Sequence, residues 1–296
     1  MPAQEGGLAF TTDSYVVDPI FFPGGDIGKL SICGTINDLA VAGSIPLYIS
    51  VSFIIEEGFP LVALEKIVRS MAREVKKANV LIVTGDTKVV PAGKCDKLFI
   101  TTSGVGQITP GNENIHSGIR ISEGDVILLN GMAGDHGMAI LNARESFRFS
   151  AQLKSDCASL NTLTKKILEL SGRVKFMRDA TRGGIATVLN EIAKKRALGI
   201  EVQESAIPVR KTVRGLSELL GFDPLYLANE GKLILIVGRK DAEKVLEGMR
   251  SVNTGKDSAI IGKVTRDHPG KVLLITQGGG KRILGIPAGE QLPRIC

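Results

Sequence analysis

The sequence predicts a protein of two domains in which strands and helices pack in layers. The chain has 296 residues, enough for two domains at about 150 residues each. In both halves, apolar stretches of strand length alternate with segments that have helical spacing. A turn-forming polar segment at 109–112 separates the halves. We therefore predict an N-terminal domain at 1–112, a C-terminal domain at 113–286 and a flexible tail at 287–296.

The N-terminal half contains four predicted strands and two predicted helices. Asp26 is a suitable N-cap for the first helix, and Gly43 is a residue type that ends helices readily. Apolar residues at helical spacing, with charged residues on the opposite side, define the second helix. The predicted strands are 8–17, 46–55, 80–90 and 97–108, and the predicted helices are 26–42 and 61–75.

The C-terminal half repeats this alternation. Strands are predicted at 125–129, 174–177, 232–237, 259–264 and 272–276. Helices are predicted after the loop 134–137 and at 162–170, 182–197, 209–220 and 242–250. The last ten residues contain two prolines and one glycine, which favours an extended tail.

The composition argues against several classes of partner. The net charge is +6, only 4% of residues are aromatic and there is no Trp, so we expect no nucleic-acid partner. No apolar stretch reaches 18 residues and residues 1–5 do not begin a signal peptide, so we expect a cytoplasmic protein without membrane contact. The four cysteines are far apart and form no metal-binding pattern.

Four aspartates follow or interrupt apolar runs: Asp13, Asp38 (after Asn37), Asp86 and Asp179. Carboxylates of this kind suit Mg²⁺ carried by a nucleotide, which needs one or two of them per ion. Each aspartate alone is also explained as a helix cap or an Asx turn.

Glycine-rich loops at 23–29 and 179–184 open predicted helices, so their free N–H groups favour phosphate binding. Neither has P-loop spacing, and plain helix entry is the alternative. Asp86 and Lys88 share one face of a strand while Thr87 points away, which suits either a metal-phosphate and proton-transfer site or a surface ion pair.

Cys296 ends the chain beside Arg294. An exposed thiol near a cation suits a nucleophile or a carrier group, although a chance chain end is the alternative. His136 and Glu230 are isolated candidates that composition alone would assign to caps or turns.

Six segments carry a resemblance to a known family: FFPGGDIGKL (21–30), GTINDLA (34–40), TGDTKVV (84–90), RDATRGG (178–184), ANEGK (228–232) and PRIC (293–296). Together they resemble the HypE family of hydrogenase expression/formation proteins over essentially the whole chain. The inner segments alone would indicate only the wider ATP-using superfamily of aminoimidazole ribonucleotide synthetase. The PRIC terminus singles out the HypE family.

The resemblance implies a two-domain α+β fold with ATP and Mg²⁺ in an acidic cleft and a homodimer formed through the N-terminal strands. A homodimer would also bury the apolar strands of that half. The implied partners are a HypF-type carbamoyltransferase, which loads a carbamoyl group onto the terminal cysteine, and a HypC-HypD-type iron scaffold. The implied reaction is dehydration of that group to a thiocyanate, the cyanide donor for the iron.

By the same resemblance, Cys296 is the carrier, Lys88 and Glu230 transfer protons, and His136 is a weaker candidate for a phosphate contact. The residues expected at the Mg²⁺-nucleotide are Asp13, Asp38, Asp86 and Asp179, with Asn37, Thr87, Arg182 and Gly183 beside the nucleotide. Family members usually have an ATP-binding segment ahead of residue 8. Two alternatives therefore stay open: a non-catalytic docking form, and another ATP-dependent synthetase or kinase of the superfamily.

Overall fold

The computed structural model describes residues 7–144, 153–286, 292 and 295–296. Two main sheets, one of four strands and one of seven, pack against helices. The N-terminal elements are β1 (Leu8–Tyr15), β2 (Phe21–Phe22), β3 (Gly25–Asp26), α1 (Ile27–Val41), β4 (Ser44–Glu56), α2 (Leu61–Ala78), β5 (Leu81–Val90) and β6 (Leu98–Ile108). The four-stranded sheet has the order β1-β6-β4-β5, with β4 and β5 parallel and the other neighbours antiparallel.

The C-terminal elements form three layers. They are β7 (Val126–Leu129), α3 (Asp135–Arg144), α4 (Asn161–Leu170), β8 (Val174–Asp179), α5 (Gly184–Arg196), β9 (Gly199–Gln203), α6 (Lys211–Leu220), β10 (Leu233–Val237), α7 (Ala242–Arg250), β11 (Ala259–Thr265), β12 (Val272–Ile275) and β13 (Lys281–Ile283). Alternate residues of β10 pack on opposite faces of the seven-stranded sheet. Ile234 and Ile236 join the core under α5, whereas Leu233 and Leu235 join the core under α4 and α7.

Helix α1 lies between the four-stranded sheet and the C-terminal part, in contact with β6, β1, α4 and β8. It is apolar on nearly all sides because it is buried on nearly all sides. Asp26 is its N-cap, as predicted, and accepts hydrogen bonds from the backbone N of Gly28 (2.9 Å) and of Lys29 (3.0 Å). These bonds occupy N–H groups that the loop 23–29 was expected to offer to phosphate, so that prediction was wrong.

The predicted α+β class is confirmed, and every predicted helix and strand occurs with its ends shifted by a few residues. The sheets are mainly antiparallel, although the strand–helix alternation alone is typical of parallel ones. The prediction missed four short strands, β2, β3, β9 and β13. The first two have only two residues each, β9 contains Glu201, and β13 begins with Lys281 and Arg282. Within the described ranges, no helix is long and apolar enough to cross a membrane.

Candidate active site

One cleft of about 370 Å³ brings together the terminal cysteine and five carboxyl groups, one of which, Glu191 on α5, pairs with the Arg178 guanidinium. The other four come from four different elements. Asp13 lies on β1, Asp38 near the end of α1, Asp179 at the end of β8, and Glu230 on the loop before β10. The remaining lining residues are Ser14, Tyr15, Gly34, Arg178, Thr181, Arg182, Thr187, Val188, Glu191 and Cys296. The fold thus assembles the site from positions more than 280 residues apart in the chain.

The acidic wall of the cleft carries more negative charge than its neighbours neutralise. Burial, followed by the charge of Asp179, raises the pKa of Asp38 to about 7. This occurs even though the Thr11 hydroxyl donates a hydrogen bond to Asp38 Oδ2 at 2.7 Å. Burial also raises the pKa of Asp179. Asp13 has a cation partner, Arg182, at 3.5 Å, but the Arg182 side chain is 77% exposed. A bound cation would relieve this repulsion.

The carboxylates fit a nucleotide-borne Mg²⁺ better than a protein-only metal site. In the part of the chain that the structure describes, no group of three His, Cys, Asp or Glu side chains converges closely enough to hold a metal ion. Mg²⁺ commonly keeps waters and phosphate oxygens and takes only one or two carboxylates. The site therefore suits an ion that arrives with phosphate ligands.

Helix α5 also contributes to the lining of the cleft. Gly183, at φ +65°, precedes the helix, and no side chain caps it. The first N–H groups of a helix carry a partial positive charge that favours phosphate. Arg182 and Thr181, next to this turn, both line the cleft. The predicted phosphate role of the loop 179–184 therefore stays a prediction with favourable geometry.

Glu230 is almost completely buried, at 2% exposure, and its Oε1 has no hydrogen-bond partner. Burial, and then the charge of Asp156, raise the pKa of Glu230 well above its ordinary value. Asp156 also fixes the backbone here, because it accepts hydrogen bonds from Glu230 N and Gly231 N, both at 3.1 Å, and from Lys232 Nζ at 2.9 Å. The result is a desolvated carboxyl group on a rigid loop, with one oxygen left unpaired.

Asn37 lies elsewhere than predicted. It is 2% exposed, and its side chain ties three backbone positions together. Nδ2 donates to Ala158 O (3.0 Å) and Glu230 O (3.2 Å), and Oδ1 accepts from Leu160 N (2.7 Å). Asn37 does not line the cleft, so the structure makes it a support for the Glu230 loop instead of a nucleotide contact.

His136 also departs from its predicted place. It is fully buried, with its Nδ1 at 2.7 Å from Ser155 Oγ and its Nε2 at 2.8 Å from Ile295 O. Both ring nitrogens are therefore engaged, and the ring packs edge-on against Phe22. The structure connects His136 to the C-terminal tail and not to the lining of the cleft.

Asp86, Thr87 and Lys88 lie on β5, away from the cleft. The sheet register aligns Asp13 on β1 with Gly85 on β5, and β6 and β4 lie between them. At ~4.8 Å per strand, these two residues are about 14 Å apart. Asp86 and Lys88 point to the sheet face that α1 does not cover, and they form an exposed ion pair at 3.3 Å. Within one chain, these three residues therefore do not join the other candidates.

Cys296 lies inside the cleft, half-buried, instead of forming an exposed thiol. The Ile295 side chain is 9% exposed and belongs to the apolar core under α1, and Cys296 O accepts from Val16 N at 3.3 Å. Arg294 and most of the tail lie outside the described residues. The sulfur is thus placed beside the carboxyl groups.

Sequence reasoning missed Asp156 and Ser155, which orient Glu230 and His136. The three donors to Asp156 are 74 to 76 residues further along the chain. No local pattern marks such a residue, because its role depends on a packing that the neighbouring sequence does not contain.

Comparison with known proteins identifies the family of the chain. The chain matches the AIR synthase related protein N-terminal domain over residues 2–108 and the corresponding C-terminal domain over 122–275. The carbamoyl dehydratase HypE of Escherichia coli is 52% identical over 295 residues, 99% of this chain and 86% of that protein. A structure of hydrogenase maturation protein HypE in complex with ATP has a TM-score of 0.94 at 48% identity, covering 99% of this chain and 88% of that one. A HypE–HypF complex has a TM-score of 0.91 at 48% identity, covering 95% and 90%.

The resemblance seen in the sequence segments is therefore confirmed, together with the AIR synthase-like fold. With about half of its residues identical over nearly its whole length, the chain belongs to the HypE carbamoyl dehydratase family.

Proposed function

We propose that this chain dehydrates a carbamoyl group carried on its own Cys296, using ATP, and so prepares a cyanide ligand for hydrogenase maturation. The observation that carries the proposal is the position of the terminal cysteine in a cleft with five carboxyl groups. Relatives about half identical to this chain are named carbamoyl dehydratase HypE, and one HypE structure holds ATP.

The reaction balances as follows. The thiocarboxamide S–C(=O)–NH₂ loses its oxygen and both nitrogen-bound protons, and carbon and nitrogen gain two further bonds to each other. The products are the thiocyanate S–C≡N, ADP, inorganic phosphate and a proton. An amide oxygen is a poor leaving group, and ATP with Mg²⁺ supplies the phosphoryl group that makes it a good one.

Three aspartates are positioned to hold the metal and its phosphates. Asp38 and Asp179 lie close enough for the charge of one to raise the pKa of the other. Asp13 stands beside them, and Arg182, just before the N-cap Gly183 of α5, lines the same cleft. Positioning and electrostatic complementarity of this kind provide most of the catalysis in phosphoryl transfer.

Glu230 is the proton acceptor in this scheme. Its buried carboxyl group binds a proton more tightly than an ordinary one, so its ionised form is a stronger base. The Glu230 backbone is held on both sides, because its N–H donates to Asp156 and its carbonyl oxygen accepts from Asn37 Nδ2. A positioned base is needed because both nitrogen-bound protons must leave.

Lys88 enters the scheme from a second copy of the chain. It lies on the uncovered face of the four-stranded sheet, where Leu8 and Phe10 are 74% and 69% exposed. That face is mixed, not uniformly apolar, since hydroxyl pairs such as Ser14–Thr101 (2.9 Å) occupy its centre. A symmetric dimer through this face would bury the apolar side chains and bring β5 of one copy near β1 of the other.

The proposed partners follow from the carrier chemistry. A HypF-type carbamoyltransferase loads Cys296, consistent with the HypE–HypF complex among the relatives. A HypC-HypD-type iron scaffold then accepts the cyanide. A sulfur at the end of a chain is suited to visiting more than one active site.

Intact-mass measurement with the HypF-type enzyme, carbamoyl phosphate and Mg·ATP tests the proposal. We expect one added carbamoyl group and then an ATP-dependent loss of one water. Cys296→Ala should show neither change, while the matched control Cys95→Ala should show both. Loading without loss of water would favour the docking-form alternative, and carbamoylation of Cys296→Ala would rule out the carrier role.

A further inference from the structure

A chain of hydrogen bonds with a defined direction ends at the C-terminal tail. Ile295 O is an acceptor only, so His136 Nε2, at 2.8 Å, must carry the proton. In a neutral imidazole the other nitrogen is then an acceptor, and the Ser155 hydroxyl donates to Nδ1 at 2.7 Å. The Ser155 oxygen in turn accepts from Cys157 N at 3.0 Å. Ser155 therefore selects the tautomer that binds the tail.

The surroundings of His136 keep this arrangement fixed. The ring is fully buried and packs edge-on against Phe22, with centroids 5.6 Å apart. Burial lowers the pKa of His136, which favours the neutral form that the hydrogen bonds require. A ring held in this way presents one N–H group at one place, which suits recognition of a single backbone carbonyl.

The tail is held at its last two residues. Besides the bond to His136, the Ile295 side chain is buried and Cys296 O accepts from Val16 N at 3.3 Å. These contacts place the sulfur in the cleft with Glu230. A second enzyme cannot enclose a sulfur that already lies between β1, α1 and α5, so loading requires the tail to leave the cleft and dehydration requires it to return.

We propose that His136, oriented by Ser155, is a positioning residue that holds the C-terminal tail in the cleft. It thereby sets the fraction of chains in which Cys296 is placed for dehydration and the fraction in which it is available for loading. The effect on loading and dehydration rests on the proposed function, whereas the binding of the tail by His136 does not depend on it. The proposal assigns His136 a role that favours dehydration and opposes loading.

A pair of substitutions isolates the hydrogen bond. His136→Gln retains an amide N–H near the position of Nε2, whereas His136→Asn reaches only the position of Nδ1, and both lose the contact with Phe22. We expect iodoacetamide to alkylate Cys296 about tenfold faster in His136→Asn than in the unchanged protein. The alkylation rate of Cys296 in His136→Gln should stay within about threefold of that in the unchanged protein. The rate in Ser155→Ala should lie between the rates of the two His136 variants. The alkylation of Cys33 and Cys157, which are buried, reports any general unfolding.

The second readout uses the HypF-type enzyme. His136→Asn should be carbamoylated at least as fast as the unchanged protein but should lose water more slowly, a split that general instability would not produce. Equal alkylation of Cys296 in His136→Asn and the unchanged protein would overturn the proposal, as would His136→Gln reacting as fast as His136→Asn. If His136→Asn unfolds, Ser155→Ala decides by the same comparison. The alkylation experiment uses neither ATP nor a partner enzyme, so it tests the binding of the tail by His136 even if no chain dehydrates its carbamoyl group. Absence of dehydration would refute only the proposed function.

Discussion

Both faces of the four-stranded sheet carry aspartates, but the aspartates differ in their burial and in the charges around them. On the face covered by α1, Asp13 lies beside Asp38 and Asp179, and burial with mutual repulsion raises the pKa of Asp38 to about 7. On the uncovered face, Asp86 and Lys88 form an ion pair whose side chains are 61% and 71% exposed. A pair so exposed contributes less than about 1 kcal/mol to stability. Burial, and not residue type, therefore distinguishes the chemically perturbed carboxylates from the ordinary ones.

This difference separates two parts of the proposed site. In the proposed function, the cleft beside the covered face holds the metal-binding carboxylates and the base Glu230 within one chain, whereas the uncovered face contributes only if a second copy brings it to the cleft. Substitutions in each part of the proposed site test this difference.

The largest effect is expected for Glu230→Gln. Loss of a positioned base typically slows a reaction by about 10²- to 10⁴-fold, and glutamine keeps the size of the side chain without its basicity. Water loss from carbamoylated Cys296, followed by intact mass, should slow by that factor while loading proceeds normally. The exposed Glu218→Gln on α6 is the control and should change nothing. A normal dehydration rate in Glu230→Gln would show that Glu230 is not the base.

A smaller effect is expected from pH. Bound Mg²⁺ favours ionised Asp38, and because the pKa of this carboxyl is about 7 in the free protein, binding must displace a proton at lower pH. Affinity for Mg·ATP should therefore fall about tenfold from pH 8 to pH 6, with proton release detectable by calorimetry in buffers of different ionisation enthalpy. Asp38→Asn should bind more weakly and lose this dependence. A flat profile in the unchanged protein would contradict the perturbed state of Asp38.

Much of the fold could be predicted because its elements carry local patterns. The Asp26 cap, the mainly apolar α1 and the amphipathic α2 each follow from residues close in sequence. The same applies to Asp86 and Lys88, which were predicted to share a face and do form an ion pair.

The assembly of the site could not be predicted in this way. Alternation along β5 shows that two side chains share a face, but not which face α1 covers or that β6 and β4 separate β5 from β1. Asn37 and His136 were assigned to the nucleotide and its phosphate by the family resemblance. Their side chains instead bind backbone groups 121 to 193 residues away, which only the tertiary packing defines.

Mixing two inactive variants tests whether one working site combines the cleft of one chain with the uncovered sheet face of another. Lys88→Ala and Glu230→Gln chains, co-expressed in equal amounts, should form mixed dimers in half of the cases. Each mixed dimer would hold one site with an intact Glu230 and the partner copy's intact Lys88, so about a quarter of the normal dehydration rate should return. A rate no higher than that of the separate variants would contradict the account, because Lys88 would then act within its own chain or not at all.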